Sequence, residues 1–250
     1  MSGGILSIID KRVHSMIPEL SPGVIIALLS SFRRLRVDAS MIPLSSNDLV
    51  TQVSSLACTL DTRTFLLSMR ALADMGYSWQ NLTNNQHLGI AAGIARSATA
   101  NPSKLASILS VLVALKAHWL DIHEKIPIVL RYVVFKVFAS VRPLSSMTSE
   151  ERQSTLYYLE TVLKIFSDMK ASWALIGDKA GITILQALSV LRLDHNEEAM
   201  IIPLISTIFC DIPPKVYEAV PAEFHFLFFI KSGTGTFPLI ESDGAHTSLQ

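Results

Sequence analysis

The chain has little charge, few cysteines and no uninterrupted apolar segment of bilayer length. Of its 250 residues 17% are charged, and its 21 basic residues equal its 21 acidic ones. An ordinary soluble domain has about 25% charged residues. Proteins that mainly hold bare nucleic acid are usually basic, so any such surface here must be local. The most apolar stretch, 126–141, contains Arg131 and Lys136, which a bilayer core would penalise, and no membrane-spanning segment is expected.

The cysteines and histidines do not form a recognisable metal or catalytic motif. Cys58 and Cys210 are isolated, which predicts two buried thiols in a reducing compartment. The chain contains no HExxH motif, no phosphate-binding loop, no nucleophile elbow and no dinucleotide fingerprint. We therefore expect no catalytic, cofactor-binding or metal-binding residues. An unrecognised enzyme stays a lesser alternative, because residues that are distant in sequence can converge in space.

The N-terminal segment, residues 1–20, lacks the long apolar block of a secretory signal. Its acids, Asp10 and Glu19, are also atypical of an organellar transit peptide. We interpret residues 1–20 as an N-terminal extension, residues 21–210 as the main domain, and residues 211–250 as a C-terminal helix and tail.

The three tryptophans share a sequence context that recurs along the chain. Trp79 and Trp119 are 40 residues apart, and Trp173 follows after 54 more. The residues fourteen, ten, seven and four positions before each tryptophan are all apolar: Phe65, Met69, Leu72 and Met75; Leu105, Leu109, Leu112 and Leu115; Leu159, Leu163, Phe166 and Met169. These offsets follow one face of an amphipathic helix. The spacing thus predicts one helix per copy.

An earlier copy precedes the first tryptophan by 40 residues, with Ala39 in the tryptophan position. Its four apolar residues are Ile25, Leu29, Phe32 and Leu35. Three polar residues 40 apart, Ser21, Asp61 and Asn101, are predicted N-caps of these helices. In the last copy Thr148 and Glu151 have the spacing of a capping box, which predicts a longer helix over 148–171.

Second helices are predicted between these first helices, at 45–57, 83–98, 122–141 and 177–193, with a fifth pair at 196–210 and 213–231. A helix pair repeated about every 40 residues is typical of an α-solenoid, in which stacked pairs bury what one pair cannot. We therefore predict an all-α, right-handed solenoid of four to five hairpins. The tryptophans are expected to fill the gap between neighbouring pairs, with base stacking as the alternative.

One local concentration of positive charge lies near the end of the first repeat. Arg33, Arg34 and Arg36 fall within one turn of a helix C-terminus, and Lys116 and Lys170 occupy the position of Arg36 in later copies. Cations there can simply stabilise the partial negative charge of the helix end. Alternatively, the five residues form a basic edge that contacts RNA phosphates or a protein partner.

The stretch "TRTFLLSMRALADMGYSW" and its copies resemble organellar helical-hairpin repeat proteins, the octotricopeptide and heptatricopeptide repeat families often linked to RAP domains. The resemblance covers about residues 21–210 and rests on repeat length, the "ALADMGY"-like helix end and the helix pairing. It implies a mitochondrial or other organellar setting, RNA binding, and roles in transcript processing or in mitochondrial ribosomes. The short, neutral chain lacks a RAP-like C-terminal domain and regular base-reading positions.

These features favour a non-catalytic structural or assembly subunit of a large organellar complex, with a mitochondrial ribosome as the leading candidate. Half the residues are apolar and few charges remain to solvate the outside, so part of the surface is expected to meet other protein subunits, with rRNA or other organellar RNA as a further partner. The alternative is a free organellar RNA-binding or processing factor.

Overall fold

The computed structural model describes residues 3–122 and 125–229, and within these ranges the chain is helical and has no strand. In chain order the α-helices are α1 (Gly3–Met16), α2 (Pro22–Arg34), α3 (Pro43–Leu56), α4 (Thr62–Asp74), α5 (Asn84–Ala100), α6 (Leu105–Ala114), α7 (Lys125–Ala139), α8 (Ser149–Asp168), α9 (Trp173–Ile176), α10 (Asp178–Leu191) and α11 (His195–Ile208). Short 3₁₀ helices connect several of them. The predicted all-α class is confirmed. Within residues 3–122 and 125–229, none of the helices combines the length and the hydropathy that a membrane span requires.

The long helices contact one another in two series. In the first series, α2, α4, α6, α8 and α11 contact each other in that order. In the second series, α1, α3, α5, α7 and α10 do the same. If the four-residue helix α9 is left out, each helix therefore packs mainly against the next helix but one along the chain, as the 40-residue period implies. The N-terminal segment belongs to this body, because α1 packs on α3 as α3 packs on α5.

The apolar residues that define the repeat form the core. Phe65, Leu72, Leu105, Leu112 and Phe166 are completely buried, and Ile25, Leu29, Phe32 and Leu159 are buried with them. These nine residues belong to the sixteen apolar positions that define the repeat, fifteen of which are buried and one of which, Leu35, is exposed. The predicted burial of the nine is thus confirmed. Their burial follows from the helix period, which places them on the side facing the other series.

The tryptophans are packing residues. Trp79, Trp119 and Trp173 are each at most 2% exposed. Trp119 meets Phe166 edge-on, with ring centroids 5.5 Å apart, and Trp173 meets Phe209 in the same way at 5.3 Å. Buried rings cannot stack on nucleic-acid bases, so the base-stacking alternative is wrong for these residues.

Backbone hydrogen bonds join neighbouring repeats at the tryptophan position. The amide of Trp79 donates to the carbonyl of Leu115 at 2.6 Å, and the amide of Trp119 donates to that of Met169 at 2.9 Å. Ala39, which replaces the tryptophan in the first copy, donates in the same way to Met75 at 2.9 Å. The link therefore belongs to the backbone of the repeat and does not require the indole. It places the C-terminal ends of α2, α4, α6 and α8 in one row.

Small residues bring α5 close to α3. A Cβ atom on Gly93 would lie 2.7 Å from Cε2 of Phe65 and 2.8 Å from Cβ of Ala57. A Cβ atom on Gly89 would overlap the carbonyl of Ser54. The two glycines share one face of α5, so a side chain on either would force the helices apart.

Three predicted N-caps have different outcomes. The carboxylate of Asp61 accepts a bond from the amide of Thr64 at 3.0 Å, as expected. The side chain of Ser21 makes no capping bond. Asn101 instead donates from its side chain to Thr62 at 2.8 Å, because a 3₁₀ turn at Pro102–Lys104 separates it from α6. Ser21 is thus the N-cap residue of α2 as predicted, but without a side-chain bond. The prediction for Asn101 as the N-cap of α6 was wrong.

The predicted capping box is present at the start of the longest helix. The side chain of Thr148 accepts from the amide of Glu151, and the side chain of Glu151 accepts from the amide of Thr148. The helix that follows, α8, runs from Ser149 to Asp168, which confirms the early start expected for the fourth copy.

The described part of the C-terminal region differs from the predicted helix over 213–231. It forms two 3₁₀ helices, Pro214–Ala219 and Ala222–Phe228. Pro213, Pro214 and Pro221 remove backbone donors and interrupt a regular α-helix here. The rest of the predicted tail, residues 230–250, lies outside the described residues.

Both cysteines are exposed, so the prediction of buried thiols was wrong. Each lies at the end of a helix, where the preceding residue points into the core. Ala57 precedes Cys58 and Phe209 precedes Cys210, and both of these neighbours are buried. At each helix end this neighbour therefore takes the position that faces the core, and the cysteine faces solvent.

Candidate functional site

The basic edge begins with the end of α2 and follows the row of helix ends in the first series. All five of its residues are exposed: Arg33, Arg34, Arg36, Lys116 and Lys170. The interrepeat backbone bonds explain why residues from distant parts of the chain lie in this row. The structure therefore places these side chains at the ends of α2, α6 and α8 in one row, with Gly76 at the equivalent position of the intervening α4.

Three of these residues share a left-handed backbone conformation. The φ angles are 53° at Arg36, 57° at Lys116 and 53° at Lys170, and Gly76 occupies the same position of the second repeat at 90°. At each site the next amide reaches back to close the helix end, for example from Ala117 to the carbonyl of Leu112 at 2.9 Å. This is the Schellman arrangement, in which glycine is the usual residue.

Part of the charge is neutralised locally. Nε of Arg33 lies 2.6 Å from a carboxylate oxygen of Asp74 in the neighbouring helix α4, and Arg70 approaches the same carboxylate at 3.4 Å. Within residues 3–122 and 125–229, no ion pair joins Arg34, Arg36 or Lys116 to a carboxylate, nor does one join Lys170. The free positive charge of the edge is thus carried by four residues, with Arg33 held against the protein.

A second basic surface lies between α4 and α6 and was not identified from the sequence. It is an open groove of about 850 Å³ lined by Arg63, Arg70, Lys104 and Leu67 among others, with Asp61 at one end. Lys104 is distant in sequence from the two arginines, and the three cations share no repeat position. The spacing of Arg63 and Arg70 could have indicated part of this surface, because residues seven apart lie on one helix face.

Another open groove, of about 800 Å³, lies where α8 begins, beside the end of α7. It contains Lys136 and Arg142 but also Glu150 and Glu151, and Arg142 lies 3.5 Å from Glu151. The extra residues of the fourth copy create this groove. Its charges are mixed, so it does not favour an anion.

The most buried ion pair holds the last two long helices of the first series together. Arg152 in α8 forms two hydrogen bonds with the carboxylate of Glu197 in α11, at 2.7 Å and 2.5 Å. It also donates to the carbonyls of Leu191 and Arg192 at the end of α10. The hydrogen bonds from Arg152 lower the pKa of the Glu197 carboxyl. This role is structural, and sequence analysis did not identify the pair because its partners are 45 residues apart.

Asp10 forms a second buried polar contact. Its carboxylate accepts from the amides of Leu44 and Ser45 at 3.0 Å and 2.9 Å, and from the Ser45 hydroxyl at 2.5 Å. A residue of α1 thereby caps the first turn of α3. Burial of the carboxyl opposes ionisation, but these hydrogen bonds outweigh it and lower the pKa of Asp10.

The chemistry available on the described surface is mainly electrostatic. Among the residues that the structure describes, no three histidine, cysteine, aspartate or glutamate side chains are placed to hold a metal ion. The exposed basic side chains of the basic edge and of the α4–α6 groove can attract phosphates or acidic side chains. No family model, curated protein or solved structure that was compared with the chain matches it.

Proposed function

We propose that the two helix series form an α-solenoid of four to five right-handed hairpins, and that the protein is a non-catalytic structural or assembly subunit of a large organellar complex. A mitochondrial ribosome is the first complex to test. The resemblance to organellar hairpin-repeat proteins supports the setting, and the helix contacts at a 40-residue period support the architecture.

The proposed assembly role rests on the apolar side chains that the protein exposes on its surface. Large apolar side chains are exposed at many places, including Leu120, Tyr157, Ile8 and Ile128, which are between 66% and 76% exposed. Single exposed apolar residues are ordinary, but here they combine with a low content of charge. Neighbouring subunits would cover such surfaces and remove them from water.

Fractionation of native extract by size tests this function. We expect the chain to migrate with a particle far larger than its own 27.5 kDa and to follow that particle when it is dissociated and reassembled. Migration of the whole pool at monomer mass would exclude a subunit role. That result would favour the alternative function, a free RNA-binding factor.

The basic edge favours RNA contact as a second function, either within the complex or as a free factor. Arg36, Lys116 and Lys170 occupy positions where glycine would be less strained, which suggests that their charge serves a purpose. Interaction with the helix dipole offers a local reason as well, since Arg192 at the end of α10 has the same conformation outside the row. Basic side chains at helix ends can reach the phosphates of an RNA backbone more readily than they can reach the edges of its nucleobases.

A triple variant distinguishes RNA contact from a dipole role. Replacing Arg33, Arg34 and Arg36 by alanine should weaken binding to all RNAs alike and flatten the dependence of log K on log salt by roughly two to three units. The contribution of Arg33 should be the smallest, because it already pairs with Asp74. Filter binding over a salt series, with alanine in place of the exposed Lys164 as control, measures this. Unchanged affinity at every salt concentration would mean that the edge does not contact RNA.

A further inference from the structure

The face of α2 that corresponds to a buried face in α4, α6 and α8 is open. In α4 the residues of this face, Ser68, Ala71 and Met75, are buried. Their equivalents in α6 and α8 are buried too: Ile108, Val111 and Leu115; Val162, Ile165 and Met169. In α2 the equivalents are half-buried Leu28, exposed Ser31 and Leu35, which is 58% exposed.

Leu35 was one of the four apolar positions of the first copy, so its exposure departs from the pattern. The reason is its place in the row. Met75, Leu115 and Met169 are covered by the preceding helix and loop, which also donate an amide to their carbonyls. No preceding helix of the first series covers Leu35. Among the described residues no backbone amide donates to its carbonyl, so the interrepeat bond lacks a donor here.

The helix α1 supplies a second open surface at the same end. It packs on α3 within the second series, through a side that includes buried Asp10, and buried Ile17 follows in the 3₁₀ helix Ile17–Glu19. A different side carries exposed Ile5, Ile8 and Met16. In chain order, each of α3, α5 and α7 lies between two helices of the first series. The helix α1 is followed by α2 but has no first-series helix before it among the described residues. One first-series position, before α1, is thus unfilled by the described residues.

The composition of this end does not suit contact with water. Terminal units of helical repeats usually present polar residues outward. The last long helix does so in its first turn, where His195, Asn196 and Glu198 of α11 are exposed, with Met200 beyond them 50% exposed. The first end instead exposes Ile5, Ile8, Val24 and Leu35.

Charge indicates what kind of molecule covers it. Lys11, Arg12, Arg34 and Arg36 are exposed on α1 and at the end of α2. A second copy joined through the same end would bring these like charges together. A second copy joined through its other end would lay the polar first turn of α11 on apolar side chains, and such a head-to-tail contact would continue from copy to copy without closing. Neither arrangement matches the surface, whereas an acidic partner complements it.

We propose that the exposed faces of α1 and α2 bind one amphipathic α-helix of a partner protein. The helix occupies the unfilled position of the first series, with apolar residues against Val24, Leu28 and Leu35 and acidic residues toward Arg34 and Arg36. A backbone amide after its last turn donates to the Leu35 carbonyl. This inference rests on the proposed assembly role and deepens it by naming the docking surface and the chemistry of the partner.

Two designed peptides and two variants of the full chain test the proposal. Both peptides match α2 in length and carry leucine along one helix face; one has glutamate at the other positions and the second has lysine. We expect the glutamate peptide to bind and to shift amide resonances of α1 and α2. Leu35→Glu should weaken this binding at least about tenfold, through lost apolar contact and added like charge. Leu120→Glu, at a position that is 76% exposed and lies elsewhere, should leave it unchanged.

Four results would overturn the inference: no binding of the glutamate peptide, equal binding of the lysine peptide, a dimer that Leu35→Glu converts to monomer, or binding to vesicles of anionic phospholipid that Leu35→Glu abolishes. Light scattering and vesicle sedimentation detect the last two. Circular dichroism confirms that both variants are folded.

Failure of the proposed function is distinguishable from failure of this inference. If the wild-type chain migrates as a monomer in native extract, the assembly role fails whatever the peptides do. If the wild-type chain and Leu35→Glu both remain in the large particle and the peptide does not bind, the assembly role stands and this docking surface is wrong.

Discussion

At Trp79 and Trp119 the same side chain in the same repeat position meets two different hydrogen-bonding situations. The indole N–H of Trp79 donates to the carbonyl of Asp121 at 2.8 Å. Leu175 takes the place of Asp121 one repeat later, but its carbonyl accepts from Nε of Arg131 at 2.6 Å. The buried indole N–H of Trp119 has no hydrogen-bond partner among the described residues. Arg131 thus bonds to the Leu175 carbonyl, which is the equivalent of the carbonyl that accepts from Trp79.

Replacement of each tryptophan by phenylalanine should expose this difference. Trp79→Phe removes a hydrogen bond and leaves a carbonyl unpaired, whereas Trp119→Phe removes a donor that had no partner. We expect Trp79→Phe to lower the free energy of unfolding by about 1 kcal/mol more than Trp119→Phe does. Urea unfolding followed by circular dichroism measures both. Equal losses would contradict the assignment.

The left-handed residues lead to a second prediction at this scale. A non-glycine residue at such a position is strained, and glycine removes that strain. Lys116→Gly should therefore raise the free energy of unfolding by about 0.5–1 kcal/mol. Lys116→Ala serves as the matched control, since alanine has the same backbone strain and should not stabilise. If glycine and alanine have the same effect, the strain is not significant and the lysine side chain itself decides the result.

At the scale of elements, helix starts and close approaches depend on different information. The long helix α8 begins where Thr148 and Glu151 predict, because a capping box is local. The approach of α5 to α3 depends on Gly89 and Gly93 meeting Ser54, Phe65 and Ala57. Small residues on one face of a helix permit such contact, but only the partner helix shows that it is used.

Two glycine-to-alanine variants test the close contact. Gly93→Ala should destabilise the protein by about 1–3 kcal/mol, because its Cβ would lie well inside the packed side chains of Phe65 and Ala57. Gly23→Ala in α2 is the control: nothing lies within 4 Å of its Cβ, and alanine favours a helix, so stability should rise by up to about 1 kcal/mol. Thermal unfolding compares the two. Stabilisation by both would show that α3 and α5 do not approach this closely.

At the scale of the whole molecule, the buried carboxylate of Asp10 is one of the contacts that join α1 to α3, beside helix packing and the exposed pair of His14 with Asp48. Asp10 has a lowered pKa in the folded protein, because its hydrogen bonds to Ser45 and Leu44 outweigh the effect of burial. A lowered folded pKa means that its contribution to stability is fully present above the unfolded value of about 3.9 and is lost as the pH falls through the folded value. Acid should therefore weaken the attachment of α1.

Asp10→Asn measures this contribution. At pH 7 it should lower the free energy of unfolding by about 1–2 kcal/mol, since charge-assisted capping of α3 is lost. The difference in unfolding free energy from the wild type should begin to narrow below about pH 4, where the carboxyl of the unfolded wild-type chain becomes protonated. It should close only when the pH falls below the lowered pKa of Asp10 in the folded protein. Asp48→Asn is the control, because Asp48 belongs to an exposed pair with His14 and should have little effect. A gap that is constant with pH would mean that the charge of Asp10 does not contribute.

The all-α class, the period and the core were determined by the sequence alone, because Phe65, Leu72, Leu112 and Phe166 recur at spacings that follow the local geometry of one helix. The row of Arg36, Lys116 and Lys170 followed from the same period. Tertiary structure alone decided which faces have neighbours. Leu35 matches Met75 and Leu115 in sequence, yet it is exposed because no helix of the first series precedes it. The pairing of Arg33 with Asp74, of Arg152 with Glu197 and of Asp10 with Ser45 likewise joins residues more than 30 positions apart, and a local sequence pattern cannot encode the distance between such side chains.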